Sequence, residues 1–299
     1  QNPKIYKYHI CLKNMEKTRL RTFKGKPLIE IPALIPQIGY LEGDFGKAFL
    51  QEYRERVKSD YNGHSTLDVL SYSGNVVKGS NPFAVVLANQ ILRQDGLRVA
   101  TQADLEKALR TQAMNLRGTY EDTGLVLRSE DNPNSYLAND LVSQVKSRNK
   151  KQKLPVMIPL AGLELRSDGN SNQGLAFNLR EDAEIVYAPI LNKPGSFNSE
   201  DINEETGLPK RTEGGNRTLY TINSGLSGLC FSSSLDLYSD NDVLTGSNGN
   251  GRVVAVSTAE GGSRDFLDEK LTMLKETRDV EFAKINERYQ RADAVLRGK

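Results

Sequence analysis

The chain contains only two histidines, two cysteines and no tryptophan among its 299 residues. His9 and Cys11 lie two positions apart, whereas His64 and Cys230 are isolated in the sequence. A structural zinc site needs four ligands at short spacings, and a redox-active pair needs two neighbouring cysteines. Because neither pattern is present, the sequence weighs against zinc, haem and thioredoxin-like functions and indicates no metal ion and no cofactor.

Long apolar runs are also missing from the sequence. No stretch approaches the ~20 consecutive apolar residues that cross a bilayer, and the first residues lack the pattern of a secretory signal. Two distant cysteines can form at most one disulfide, which is typical of a reducing compartment. We therefore expect a cytoplasmic protein with no membrane partner.

The length of 299 residues favours about two domains. Changes in composition along the chain predict an α+β fold in four segments. These are a basic extended segment over residues 1–43, a mixed α/β core over 44–165, a β-rich part over 166–258, and a long C-terminal amphipathic helix over 259–299.

Apolar periodicity predicts the secondary structure of the two central segments. Helices are predicted over 45–58, 84–94, 101–116 and 134–148, and strands over 67–73, 124–128 and 156–165. Their alternation favours at least some parallel strand pairing. Short strands follow over 175–179, 183–191, 218–222, 226–238 and 252–257, and the Gly- and Pro-containing stretch 193–216 is predicted to be a long loop, either mobile or a functional lid.

Positive charge is concentrated at the start of the chain. Residues 1–26 carry eight lysines and arginines against one acid, Glu16. Aromatic residues are interleaved with these cations, and such a segment can hold phosphates while it stacks bases. This pattern favours nucleic-acid binding, with the candidate contacts Lys4, Lys7, Arg19, Arg21 and Lys24. The alternative is a solvated hairpin whose lysines prevent pairing between sheet edges.

A glycine-containing loop between a predicted strand and a predicted helix is the best candidate for a ligand site. A loop that opens a helix exposes backbone N–H groups and the positive end of the helix dipole, which attract phosphate or carboxylate. The candidate residues are Gly74, Lys78, Gly79 and Ser80, although the order of lysine and glycine differs from a Walker A loop. The alternative is that Ser80 or Asn81 caps the helix and Pro82 occupies its first turn. Adjacent acids such as Glu121 and Asp122 carry no acid–base argument without geometry.

The last segment has the strongest periodicity of the chain. Residues 263–297 contain no Gly or Pro, and their apolar residues recur at steps of three, four or eight, which predicts one amphipathic helix. The candidate interface is formed by Leu267, Leu271, Leu274, Phe282, Ile285 and Tyr289. An apolar face of this width favours either oligomerisation or partner binding, or docking along the chain's own domain.

Two stretches of the sequence resemble a group of uncharacterised prokaryotic proteins. They are residues 225–257, with Gly-Leu-Ser-Gly-Leu-Cys-Phe at one end and Gly-Arg-Val-Val-Ala-Val-Ser at the other, and residues 120–128. The similarity covers most of residues 30–258. This resemblance implies a single inherited unit but no activity, ligand or catalytic residue.

The sequence thus favours a non-enzymatic binding or assembly protein that associates through its C-terminal helix. Two alternatives stay open. One is an enzyme or sensor that binds a phosphate-containing ligand at residues 74–80, and the other is a nucleic-acid binder that uses the basic N-terminus.

Overall fold

A computed structural model describes residues 38–257 and the backbone of two short strands before them. The chain divides into two units, Gln1–Ile35 and Pro36–Lys299. In the first unit, β1 (Arg21–Phe23) pairs antiparallel with β2 (Lys26–Leu28). This pairing agrees with the hairpin interpretation of the basic segment, whereas Lys4, Lys7, Arg19 and Lys24 lie outside the described residues.

The second unit contains four helices among its described residues. They are α1 (Gly43–Asp60), α2 (Pro82–Leu92), α3 (Gln102–Arg110) and α4 (Ser135–Arg148). All four confirm helices predicted from apolar periodicity. However, α3 ends before the predicted position, because Gln112 adopts a left-handed φ of 55° that cannot continue a right-handed helix.

The strands of this unit are short. They are β3 (Ile38–Tyr40), β4 (Ser71–Ser73), β5 (Val76–Lys78), β6 (Leu97–Val99), β7 (Glu121–Leu127), β8 (Val156–Pro159), β9 (Leu163–Ser167), β10 (Leu175–Leu179), β11 (Val186–Tyr187), β12 (Gly195–Phe197), β13 (Arg217–Thr221), β14 (Leu226–Phe231), β15 (Leu237–Asn241) and β16 (Val254–Ser257). The presence of helices and strands in one unit confirms the α+β class, but the predicted C-terminal helix over 259–299 lies outside the described residues.

Seven strands form the central sheet in the order β11-β8-β7-β14-β15-β13-β12. The expectation of parallel pairing within residues 60–165 is wrong, because β7 pairs antiparallel with β8 and β4 pairs antiparallel with β5. Among the described strands, β13 and β15 form the parallel pair. The tight turn between β4 and β5 requires antiparallel pairing. The helix α4 connects β7 to β8, which shows that a strand–helix–strand order in the sequence does not by itself make the two strands parallel.

Two predicted strands are each divided in the structure. The run over 156–165 is broken by a 3₁₀ turn, Leu160–Gly162, which separates β8 from β9. The run over 226–238 becomes β14 and β15, joined by a turn in which Leu235 has a φ of 73°. Apolar alternation by itself cannot show where a strand turns back.

The central sheet contains strands from both predicted central segments. Strands β7 and β8 come from residues 44–165, whereas β11 to β15 come from residues 166–258. A second sheet has the order β3-β16-β6 and likewise joins strands that are distant in sequence. The strands β7 and β14 pair at the middle of the central sheet, and every residue in both is buried.

Helices cover one face of the central sheet. Leu125 and Leu127 of β7 face a core cluster that includes buried residues of α1, α2 and α4. Val126 faces the opposite cluster, because successive strand residues point to opposite faces. The predicted loop 193–216 contributes Phe197 and Leu208 to this second cluster, so part of it is packed into the core.

Candidate functional site at the start of helix α2

The glycine-containing loop divides into a hairpin turn and a helix cap. Gly74 and Asn75 have φ values of 63° and 67° and join β4 to β5. Two successive positive φ angles are typical of a type I′ hairpin turn. Lys78 is the last residue of β5. Gly74 and Lys78 therefore belong to a hairpin, whereas Gly79 and Ser80 lead into α2.

Gly79 lies where two segments of backbone come close together. Its φ is 98°, and a Cβ atom there would lie 2.1 Å from the Val69 carbonyl oxygen, so a larger residue would clash. The Gly79 N–H donates to the Gly251 carbonyl, and the Ser80 N–H donates to Ser247 Oγ at 3.0 Å. These two donors are therefore used within the protein.

Asn81 caps α2, which confirms the structural interpretation made from the sequence. Its Oδ1 accepts a hydrogen bond from the Ala84 N–H at 2.7 Å, and Pro82 occupies the first turn. The Asn81 amide also donates to the carbonyl oxygens of Thr66 and Thr245, at 2.9 and 3.2 Å. This side chain joins three segments at the start of the helix.

Ser80 connects the start of α2 to the central sheet. Its Oγ donates a hydrogen bond of 2.5 Å to Asp122 Oδ2, and both side chains are buried. Burial raises the pKa of Asp122 to about 6, and the hydrogen bond from Ser80 partly opposes this shift. Asp122 Oδ1 has no hydrogen-bond partner in the described structure.

Glu121 interacts with a different group of residues. Its Oε1 accepts a hydrogen bond of 3.3 Å from the Tyr40 hydroxyl, which also lies 3.1 Å from Thr119 Oγ1. Burial raises the pKa of Glu121 to about 7, although hydrogen bonds from Thr119 and Tyr40 lower it. Its Oε2 also has no hydrogen-bond partner within the described part of the chain. Two adjacent carboxyl groups are thus protonated at mildly acidic pH.

A bulge in β7 places Asp122 beside Cys230. Leu229 is opposite Gly124 and Cys230 is opposite Asp122, so Thr123 is the extra residue. Bulges often change the direction of a side chain near a functional site. The pairing continues from Cys230 to Tyr238 and from Tyr238 to Tyr220, and the two tyrosine rings stack at 4.6 Å. Asp122, Cys230, Tyr238 and Tyr220 therefore form one row across β7, β14, β15 and β13.

The candidate nucleophiles and bases in the described structure are held in structural positions. Ser80 is fully buried, and burial raises the pKa of the Cys230 thiol well above its usual value. His64 Nδ1 accepts the Thr66 N–H at 3.3 Å, and a Cβ atom at Gly174 would lie 2.6 Å from His64 Nε2. The buried carboxyl groups of Glu121 and Asp122 therefore keep their protons to a higher pH than exposed carboxyl groups do.

Sequence reasoning did not single out this acid pair among the other acids of the chain. The one local signal is that Glu121 and Asp122 begin a strand that otherwise contains only uncharged residues. The predicted interface residues, which begin at Leu267, lie outside the described residues, and Arg21 lies in β1. Of the predicted ligand-site residues, the structure places Gly79 and Ser80 at the start of α2, and Gly74 and Lys78 in the β4–β5 hairpin.

No protein-family model, no curated protein and no solved structure matches this chain. In the part of the chain that the structure describes, no cluster of three or more His, Cys, Asp and Glu side chains could hold a metal ion. Within the same residues, no helix combines the length and apolar character needed to cross a membrane. Function must therefore be inferred from the residues and their geometry.

Proposed function

We propose that this is a non-enzymatic binding or assembly protein that associates, with itself or with a partner, through residues 263–297. The observation that carries this proposal is the apolar periodicity of that segment, which continues without Gly or Pro. Burying a large apolar side chain contributes roughly 1.5–3 kcal/mol. Six such residues on one face would supply enough energy to offset the loss of freedom on association.

Contacts in the described residues support a role without catalysis. Ser80 donates a hydrogen bond to a buried acid, burial raises the pKa of the Cys230 thiol, and His64 accepts a backbone N–H. A nucleophile has to be accessible and activated by a neighbouring base. None of these three side chains meets both requirements.

The same contacts reduce the support for phosphate binding at residues 74–80. An anion site at a helix start needs N–H groups that point towards the ligand. The N–H groups of Gly79 and Ser80 instead donate to Gly251 and Ser247. Nucleic-acid binding through the basic N-terminus stays a prediction, and its affinity should fall as ionic strength rises.

Native mass spectrometry of the full chain tests self-association directly. We expect a multimer for the original sequence and a monomer for the double variant Leu271→Asp/Leu274→Asp, because two carboxylates would have to be buried in the apolar interface. The matched control is Thr272→Asp/Thr277→Asp, which adds the same charge on other faces of the predicted helix.

The control should keep the oligomeric state of the original protein. A full chain that is monomeric at micromolar concentration would contradict self-association. Equal behaviour of the two double variants would show that the apolar face is not the contact. Extra mass in the spectrum would instead identify a bound partner or oligonucleotide.

A further inference from the structure

A cleft of about 240 Å³ lies between α3 and residues 199–210. Ala103, Lys107 and Arg110 form its wall on α3, where spacings of three and four residues place them on one helix face. The opposite wall includes Ser199, Glu200, Glu204 and Lys210. None of the residues that line the cleft belongs to the acid pair Glu121 and Asp122 of β7.

The shape of the cleft depends on a folded loop that rests on α3. An isolated bridge joins Ile202 to Pro209, and the Gly207 N–H donates to the Asn203 carbonyl at 2.8 Å. Gly207 has a φ of 70°, and a Cβ atom there would lie 2.5 Å from the Ala103 nitrogen. Glycine thus allows the loop to contact the first turn of α3 while Glu204 reaches Arg110 in its last turn.

The charges in this cleft favour an anion. Glu106 accepts two hydrogen bonds, of 2.7 and 2.9 Å, from the buried Arg217. Its negative charge is therefore already neutralised by this arginine. Lys107 and Lys210 have no acidic partner within ion-pair distance in the described structure. Hydrogen bonding and charge from Arg110, together with Lys210 and Lys107, hold the pKa of Glu204 below its usual value. Three cations, Lys107, Arg110 and Lys210, therefore share the cleft with the carboxylates of Glu204 and Glu200, so the cleft keeps one net positive charge.

We propose that this cleft binds a small doubly charged oxyanion, either inorganic phosphate or a phosphate monoester, between Lys107, Arg110 and Lys210. In the free protein, the carboxylate of Glu204 occupies the position of this anion. Glu204 supplies one negative charge to three cations, whereas a phosphate supplies up to two. Arginine binds phosphate through its planar fork, and lysine adds a point charge. The cleft is smaller than the ~300–1,000 Å³ sites that hold drug-sized ligands, which fits a small ligand.

Titration with inorganic phosphate, followed by the amide NMR shifts of the full-length ¹⁵N-labelled protein, tests the proposal. Sodium chloride should keep the ionic strength constant so that general screening does not change. We expect saturable shifts in α3 and in residues 199–210. Lys107→Ala/Lys210→Ala should weaken binding at least about tenfold, because bonds to a charged group are lost. Glu204→Gln should bind phosphate several-fold more tightly, because the internal competitor is removed.

The matched control is the exposed pair Lys146 and Glu130, whose side chains lie 2.9 Å apart. Lys146→Ala/Lys150→Ala and Glu130→Gln make the same changes of charge at exposed positions outside the cleft and should leave the phosphate affinity unchanged. A parallel titration with glycerol 3-phosphate separates the two ligands, since tighter binding assigns a monoester and weaker binding assigns inorganic phosphate.

Three results would overturn the proposal. The first is the absence of saturable shifts in α3 and in residues 199–210. The second is phosphate affinity in the double lysine variant equal to that of the original protein. The third is a Glu204→Gln variant that binds phosphate no more tightly than Glu130→Gln does. Thermal unfolding of each variant tests whether these exposed substitutions leave the fold intact, and we expect unchanged midpoints.

Discussion

Glu121 and Asp122 follow one another in β7, but they are removed from water by different neighbours. Glu121 contacts Tyr40 of β3, whereas Asp122 contacts Ser80 at the start of α2. Burial raises their pKa values to about 7 and about 6. In the unfolded chain both groups return to pKa values near 4. As pH rises between these limits, the unfolded chain releases protons that the folded chain retains, so the free energy of unfolding falls.

We expect Asp122→Asn and Glu121→Gln each to raise the free energy of unfolding at pH 8 and to change it little at pH 4. An amide does not ionise, and the side-chain amide oxygen introduced by Asp122→Asn can still accept the hydrogen bond from Ser80. One pKa unit corresponds to about 1.4 kcal/mol, so the gain at pH 8 should be on the order of 3 kcal/mol for each substitution. Urea unfolding at a series of pH values measures it.

The exposed acid Asp131 provides the control for this experiment. Asp131→Asn changes the same functional group in a solvated position and should leave the pH profile of stability unchanged. If Asp122→Asn and Glu121→Gln showed the same pH dependence as the original protein, the two carboxyl groups would not be the source of that dependence.

At the scale of an element, the start of α2 depends on one side chain with two functions. Asn81 Oδ1 caps the helix, and its amide group donates to the carbonyls of Thr66 and Thr245.

We expect the free energy of unfolding to fall in the order original protein, Asn81→Ser, Asn81→Ala. Serine keeps the cap, which contributes about 1 kcal/mol, but both variants leave two carbonyls without a donor. Urea unfolding of the three proteins gives the order, and equal stability of the serine and alanine variants would exclude a contribution from the cap.

Local signals in the sequence were sufficient for elements whose contacts are local. Asn81 before Pro82 predicts the cap of α2, and Thr101 with Asp104 predicts the start of α3, where both reciprocal capping bonds are present. The acid site was not predictable in this way. Ser80 and Asp122 are 42 positions apart, and their contact requires a bulge that exists only when β14 pairs with β7. A contact between residues so far apart in the chain does not change the apolar periodicity of either segment, so the sequence pattern does not reveal it.

At the scale of the molecule, the side chain of Arg128 connects the two predicted central segments. Arg128 follows β7, and its guanidinium donates to acceptors on β13, β14, β15 and the turn before β12. These acceptors are Asn192 Oδ1, Leu191 O, Ser227 Oγ, Thr221 Oγ1, Ser239 O and Ser239 Oγ. Burial lowers the pKa of Arg128 to about 10, and the acceptors that it contacts are all uncharged. The guanidinium of Arg128 therefore keeps all of these hydrogen bonds only while β13, β14 and β15 stay in place together.

We expect Arg128→Met to destabilise both predicted segments equally, by roughly 3 kcal/mol or more, because several buried acceptors lose their donor at once. Native-state hydrogen exchange measures the loss separately in α2, which belongs to residues 44–165, and in β13, which belongs to residues 166–258. Arg128→Lys keeps the charge but lacks the planar fork, so it should recover only part of the protection. Equal losses in α2 and β13 are expected if the central sheet unfolds as one unit. A loss confined to β13 would show instead that the two segments unfold independently, in spite of the sheet that they share.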